Sequence, residues 1–349
     1  MKIGMMAQVL EGGKSGIGRY ILDLVKPLDM LVDLDVVAFE EDLDLIQLQR
    51  GKKTLSQSSS RFFDIVGNNC RSFSQYDLVH FPCYRRMPLF IRAKTVVTVH
   101  DIGPILFPKK YGLTRYFYHF YLLKQTLKQC SKIIVPSYTT KEDLMRVCSI
   151  KEEKIRVIYS GIDTRVFCPQ KMERKPFFVY VSRLEHPAKN HLGLIEAFEL
   201  YRLNNPQSNH QLILAGADWQ GAEVIKRRAA KSPYKDSILF TGFVSQEKIV
   251  ELYRTCDCMV FPSFFEGFGF PVIEALACGA KVIVSNRASL KEMGKQASLE
   301  LFDPENPQEI AQKMAIKQQS LYREAFLSQF NWEKAAKEVV EVYEEALRS

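Results

Sequence analysis

Phe264-Phe265-Glu266-Gly267-Phe268-Gly269-Phe270-Pro271-Val272-Ile273-Glu274-Ala275-Leu276-Ala277-Cys278-Gly279 sets two carboxylates eight residues apart around a glycine-rich turn. Just upstream, Cys258-Met259-Val260-Phe261-Pro262-Ser263 reads as a short buried strand that stops at a proline, and Pro271 suits the first position of a helix. Glu266 is therefore expected in the strand-to-helix loop and Glu274 in the first turn of the helix. Helix N-termini expose unpaired N–H groups and carry partial positive charge. Such a turn offers backbone donors to an anion, while its carboxylates accept from hydroxyl groups. A sugar nucleotide carries both.

The same alternation of apolar run and helical pattern extends along the whole chain, which is the signature of α/β folds with largely parallel sheets. Strands are expected at 2–8, 34–39, 78–81, 95–100, 132–136 and 155–158, then at 177–182, 211–215, 238–241, 258–262, 281–285 and 299–302. Helical spacing is read at 21–31, 116–130, 191–203, 222–231, 246–256, 272–277, 307–327 and 331–347. Asn306 as N-cap, Pro307 at the first position and Glu309 at the third mark one of these starts clearly. Two Rossmann-like domains result, 1–165 and 166–330, followed by a helix at 331–349, with the polar stretch 161–176 as linker and a cleft expected between the domains.

A chain of 349 residues is long for one domain and fits two. With 46% hydrophobic and 25% charged residues it has the material for two cores. No apolar run reaches the roughly 18 residues that span a bilayer, and Met1-Lys2-Ile3-Gly4-Met5-Met6-Ala7 reads as a first strand rather than a signal peptide. A cytoplasmic location is expected, with eight reduced and mostly buried cysteines, because their spacing suits neither zinc nor a disulfide framework. The net charge of +8 resides in residues 1–165, which hold 25 Lys+Arg against 17 Asp+Glu. The segment 107–132 carries Lys109, Lys110, Arg115, Lys124, Lys128 and Lys132 among Tyr111, Tyr116, Phe117, Tyr118, Phe120 and Tyr121. Cations beside aromatic rings suit the headgroup zone of an anionic membrane, and peripheral binding there is expected; nucleic acid is not, since no binding motif accompanies the charge.

The run Glu-Gly-Phe-Gly-Phe-Pro-Val-Ile-Glu-Ala-Leu-Ala-Cys-Gly, with its two glutamates eight apart, resembles the donor-site motif of glycosyltransferase family 4. These are retaining transferases built of two Rossmann-like domains, the GT-B fold. The resemblance covers essentially the whole chain and implies that the last helix crosses back onto the first domain. Phe270, Lys281 and Ser160 depart from the residues common in the family, though none removes a ligand named below.

Arg183 and Lys189 follow the first strand of the second domain, where residues just past the carboxyl end of a parallel strand line a ligand crevice. A guanidinium binds phosphate oxygens in bidentate fashion and an ammonium adds a compact charge, so the pair suits a diphosphate. Its Arg-x5-Lys spacing also matches the family's diphosphate pair. The resemblance further implies that Glu266 meets the donor sugar's hydroxyls, that Glu274 binds the ribose, and that Gly267, Phe268 and Gly269 bring backbone N–H groups near sugar and diphosphate. It places Phe243 and Val244 beside the base and Gly16, within Gly-Ile-Gly-Arg-Tyr, in a loop over the donor phosphates. His100, in Val-His-Asp, would stand beside the transferred sugar, with Asp101 orienting backbone.

Asp33-Leu34-Asp35 and Asp42-Leu43-Asp44 have the look of a metal motif, but neither is expected at a strand end facing the crevice, so no metal or other cofactor is expected. The implied activity is transfer of a hexose from a nucleotide-diphosphate sugar to a glycan or lipid-linked acceptor. GDP-mannose is the first choice of donor, and a UDP-hexose the alternative. A nucleotide-sugar 2-epimerase, or a non-catalytic subunit of the same shape, remains a second class of reading.

Overall fold

A computed structural model describes residues 1–13, 15–56, 73–88, 90–107, 121, 123–316 and 323–349. The chain divides into two compact units, Met1–Gly161 together with Gln329–Ser349, and Ile162–Ser328. The first boundary thus falls after Gly161 rather than at 165, and the return to the first unit begins at Gln329.

The first unit holds seven parallel strands: β1 Lys2–Met6, β2 Asp33–Ala38, β3 Lys52–Leu55, β4 Leu78–Phe81, β5 Thr95–Thr98, β6 Lys132–Val135 and β7 Ile155–Val157. They lie in the order β3-β2-β1-β4-β5-β6-β7. All four residues of β4 and of β5 are buried, as strands covered on both faces must be, with His80, Thr95 and Thr98 among them hydrogen-bonded. The strand missing from the sequence expectation is β3, whose Lys52 and Lys53 are exposed; charge on an edge strand deters pairing with another chain but hides the strand from a search for apolar runs. A helix Tyr138–Cys148, capped by Ser137 accepting from the Thr140 N–H, was also unexpected. The segment expected as a helix at 116–130 is described at Lys124–Gln129.

The C-terminal helix, Trp332–Arg348, begins on Asn331, which accepts from the Lys334 N–H at 2.8 Å. It buries Trp332, Ala335, Val339, Val342, Tyr343 and Ala346, the positions expected from their spacing, and packs against the first helix, Gly16–Leu28, and strands β5 and β6. Glu345 fixes its far end, accepting from Nε and Nη2 of Arg156 and from Lys132 at 2.8 Å.

Inside this unit runs a buried polar chain. The Tyr343 hydroxyl is 2.7 Å from His80 Nδ1, and His80 Nε2 is 2.9 Å from Thr98 Oγ1. Burial holds the His80 imidazole neutral, its pKa pushed from 6.5 down to about 3. Tyr343→Phe would leave one buried ring nitrogen unpartnered, and it is expected to lower the unfolding free energy by about 1–3 kcal/mol in urea titrations. A loss inside the scatter of those titrations would show the bond to be dispensable. Burial also lowers His100 to about 4 and His191 to about 3. Below pH 6.5 the unfolded chain therefore takes up protons that the folded chain refuses. Stability present above that pH should fall as the solution is acidified through 6.5 towards 4, with the urea midpoint lower at pH 5 than at pH 7.5.

The second unit holds six parallel strands: β8 Lys175–Val181, β9 Gln211–Ala215, β10 Ile238–Gly242, β11 Cys256–Phe261, β12 Val282–Ser285 and β13 Glu300–Phe302, in the order β10-β9-β8-β11-β12-β13. All six were expected, as were the helices His191–Asn204, Ala222–Ala230 and Gln246–Thr255. Asn306 caps Pro307–Ala315 by accepting from the Glu309 N–H at 3.2 Å. The longer helix expected at 307–327 is described as this piece and Glu324–Leu327, with 317–322 outside the described residues. Among the described residues, no helix is long and apolar enough to cross a membrane. Of the described cysteines all are free and all but Cys168 are buried, and burial pushes the Cys130 and Cys258 thiols up to about 12.

Candidate active site

In the second unit the strand order reverses direction between β8 and β11, and the carboxyl ends of strands at such a reversal are where open α/β sheets hold ligands. The loops leaving those two ends hold Arg183, Lys189 and Glu266. Backbone and side-chain bonds tie them together: the Phe264 N–H donates to the Ala188 carbonyl at 3.0 Å, and the Tyr180 hydroxyl lies 3.0 Å from the Lys189 carbonyl and 2.7 Å from Ser263 Oγ. Lys189 Nζ donates to Glu266 Oε1 at 2.6 Å, so the expected phosphate cation and the expected sugar carboxylate form an ion pair.

Arg183 sits apart from that pair. Its guanidinium lies over the Trp219 ring, 4.7 Å from the centroid, and its Nη2 reaches buried Glu185 Oε2 at 3.4 Å. With 51% of its side chain exposed, it keeps a face for an anion. Trp219 and Glu185 carried no signal beyond residue type. The loop after β9 is laced to that after β8, the Leu184 N–H donating to Ala217 O at 2.9 Å, and the Gly216 N–H donates to Gly242 O at 3.0 Å. Phe243 and Val244 follow directly, Phe243 with 68% of its surface exposed.

The Glu266 loop ends on Gly269, whose φ of 101° is tolerated by glycine and strained for any other residue. Because Gly269 is the N-cap, the helix runs Phe270–Ala277 and Pro271 is its second residue. Glu274, expected in the first turn, is therefore the fifth residue, one position further into the helix. It is buried, and the Tyr253 hydroxyl donates to its Oε2 at 3.4 Å. Ser289, which sequence reading passed over, fixes the loop from below by donating to the carbonyls of Glu266 at 2.8 Å and Phe268 at 3.1 Å. Gly267 and Phe268 thus lie on a braced turn.

Gly16 and His100 belong to the first unit. Ser15 caps the helix Gly16–Leu28 by accepting from the Gly18 N–H at 3.0 Å. A Cβ at Gly16 would meet nothing within 4 Å, whereas one at Gly18 would stand 2.3 Å from the Leu10 carbonyl oxygen; the glycine this turn demands is Gly18. His100 lies just beyond β5 and is half-buried, its Nε2–H donating to the Pro82 carbonyl at 2.9 Å. In the neutral ring that bond leaves Nδ1 as a lone-pair acceptor. Asp101 Oδ1 accepts from the Gly103 N–H at 2.8 Å, a contact that orients backbone.

The two Asp-x-Asp stretches are otherwise engaged. Asp35 accepts from the hydroxyls of Thr54 and Tyr76, each at 2.6 Å, and Asp42 accepts from the Gly12 N–H at 2.9 Å. Among the described residues, no group of three or more His, Cys, Asp or Glu is placed to hold a metal ion.

Residues 163–339 match the family model Glycosyl transferases group 1, and residues 14–166 match Glycosyltransferase Family 4. The chain is a group 1 glycosyltransferase. Its curated relatives include the O-antigen chain mannosyltransferase B of Escherichia coli, 24% identical over 98% of this chain and 99% of that one. Another is the O-antigen chain mannosyltransferase RfbU of Salmonella typhimurium, 32% identical over 58% of this chain and 54% of the relative. Among solved structures, Anabaena Alr3699/HepE in complex with UDP and glucose superposes with a TM-score of 0.77 at 19% identity, over 99% of both chains. Sucrose-phosphate synthase from Thermosynechococcus elongatus gives the same TM-score and identity, over 99% of this glycosyltransferase and 98% of that chain. The shared fold is GT-B, two parallel-sheet Rossmann-like units.

Proposed function

We propose that this glycosyltransferase moves a mannosyl group from GDP-mannose to an acceptor hydroxyl on a growing surface glycan or lipid-linked saccharide, with retention at the anomeric carbon and without a metal. The observation that carries the site is the convergence of Arg183, Lys189 and Glu266 on the two loops at the reversal of the second sheet. The relatives that are O-antigen mannosyltransferases favour mannose and polysaccharide assembly.

In this reading Arg183 and Lys189 neutralise the diphosphate as it leaves, and stabilisation of that charge supplies much of the rate. Glu266 exchanges its bond to Lys189 for the sugar's hydroxyls. Backbone N–H groups of Gly267, Phe268 and Gly269 meet sugar and diphosphate, Glu274 the ribose, and Phe243 with Val244 the base. Gly16 borders the donor phosphates. His100 Nδ1 accepts from a hydroxyl of the transferred sugar and fixes its pose. The departing phosphate oxygen takes the acceptor's proton on the face the nucleotide leaves.

A UDP-hexose is the second reading, favoured by the solved relatives that hold UDP or UDP-glucose. A thermal-shift series decides between them, because a ligand that binds only the folded form raises its stability with affinity. GDP-mannose is expected to raise Tm well beyond UDP-glucose; the reverse order would replace mannose in the proposal. Transfer should proceed at the normal rate in excess EDTA, and an absolute need for Mn²⁺ or Mg²⁺ would remove the metal-free mechanism. Incubation with donor alone should yield no epimer.

We propose a peripheral seat on the cytoplasmic face of an anionic membrane as well, from the basic and aromatic residues of 107–132. Most of that segment, including Lys109, Lys110, Arg115 and all its aromatics but Phe107 and Tyr121, lies outside the described residues. Of the three lysines described, Lys132 pairs with Glu345 and the Glu153 carbonyl, and its replacement would disturb the seat of the C-terminal helix; Lys124 and Lys128 are tested instead. Flotation with acidic vesicles should be lost at high salt and in the Lys124→Glu, Lys128→Glu double variant. Equal flotation on neutral and acidic vesicles would end this part of the proposal.

A further inference from the structure

Tyr20 closes the run Gly-Ile-Gly-Arg-Tyr, and the mechanism above leaves it unused. Its buried ring stands between two others. His100 lies 4.7 Å away at an interplanar angle of 83°, and Trp332 lies 5.7 Å away at 62°. Its hydroxyl is 3.3 Å from Thr98 Oγ1, which joins it to His80 and through His80 to the Tyr343 hydroxyl. Trp332 and Tyr343 are both on the C-terminal helix, and Thr98 ends the strand two residues before His100. Tyr20 is thus gripped at the hydroxyl by a hydrogen-bonded chain and at the ring by an indole.

His100 needs such a neighbour. Its bond to the Pro82 carbonyl fixes one ring nitrogen in space and leaves the imidazole free to swing about that contact. An edge-to-face ring contact restricts the plane, and a plane plus one fixed nitrogen determines where the other nitrogen points. We infer that Tyr20 is a positioning residue for His100, carrying the seat of the C-terminal helix to the imidazole through the Tyr343–His80–Thr98 chain and the Trp332 ring. The inference rests on His100 as the residue beside the transferred sugar, and it gives the tyrosine of the glycine-rich run a role apart from phosphate binding.

The test uses the full chain as wild type and as His100→Ala, Tyr20→Leu and Tyr20→Phe. Imidazole-detected NMR follows the titration of His100, assigned by its disappearance in His100→Ala. Turnover is read as nucleotide release from GDP-mannose or UDP-glucose, whichever the wild type consumes. In Tyr20→Leu the loosened ring should gain solvent, and its titration should rise towards the ordinary histidine value by at least about half a unit. kcat should fall at least about tenfold while the donor KM stays within about twofold, as expected when the reacting geometry is disturbed and donor binding is not. Tyr20→Phe keeps the ring but cuts the hydroxyl from Thr98, so both readouts should lie between wild type and Tyr20→Leu, and values equal to wild type would remove the hydrogen-bonded chain from the relay. An unmoved His100 titration in Tyr20→Leu, or Phe as damaging as Leu, overturns the inference even if stability has dropped. Wild-type turnover in His100→Ala overturns the reading beneath it instead. Should Tyr20→Leu fail to fold, Thr98→Val cuts the hydroxyl's anchor, and a His100 titration identical to wild type in that variant counts against the relay.

Discussion

Replacing Arg183 with alanine is expected to lower kcat/KM at least about a hundredfold, the scale on which loss of one preorganised group facing developing charge is felt. The side chain is half-exposed and rests on Trp219, so its removal leaves no cavity, and the cost to folding is confined to the 3.4 Å contact that buried Glu185 loses. Folding should survive, and the loss should fall on the diphosphate. Arg183→Lys should recover little of it, since an ammonium cannot reproduce the planar fork or its stacking on an indole. Steady-state nucleotide release, with melting temperature as a control on folding, measures both. Near-normal kinetics in Arg183→Ala would remove this residue from the site.

Glu266→Gln should cut turnover by at least about tenfold with the fold intact, because the amide keeps the shape but is a weaker acceptor for hydroxyls. The 2.6 Å bond to Lys189 adds a sharper expectation. Groups in direct contact couple, so Lys189→Ala and Glu266→Gln combined should depart from additivity by about 0.5–3 kcal/mol in transition-state free energy. Strictly additive effects would mean that the two residues act independently of one another. Glu274→Ala should act differently and weaken nucleotide binding, and a calorimetric affinity equal to wild type would free Glu274 of that role.

What the sequence made legible follows the range of the interactions involved. Strands such as Val282–Ser285, and the cap Asn306-Pro307-x-Glu309, declare themselves within a few residues, because burial and capping are local. β3 did not, since Lys52 and Lys53 serve an edge where charge is useful and apolar periodicity is absent. The position of Glu274 slipped because Pro271 fits the first two helical positions about equally, and Gly269 as cap decides between them. The order β10-β9-β8-β11-β12-β13 has no local signal, yet it is what sets the loop of Arg183 and Lys189 next to that of Glu266. The Lys189–Glu266 bond joins residues 77 apart, and Ser289, Trp219 and Tyr20 also take part through partners outside their own sequence neighbourhood. Residue type and motif could nominate the ligands; their braces were visible only in three dimensions.

The second unit is one unbroken stretch, Ile162–Ser328, inserted in the first, whose two parts are joined by bonds such as that between His80 and Tyr343, 263 positions apart. During synthesis, therefore, the second unit can complete its sheet while the earlier-made unit still lacks the helix that packs on it. Its open flank, including the seat for Trp332 and Tyr343, is the surface a chaperone would have to shield. A fragment of residues 162–328 should fold by itself, and a fragment of residues 1–161 should not until the peptide 329–349 is added in trans.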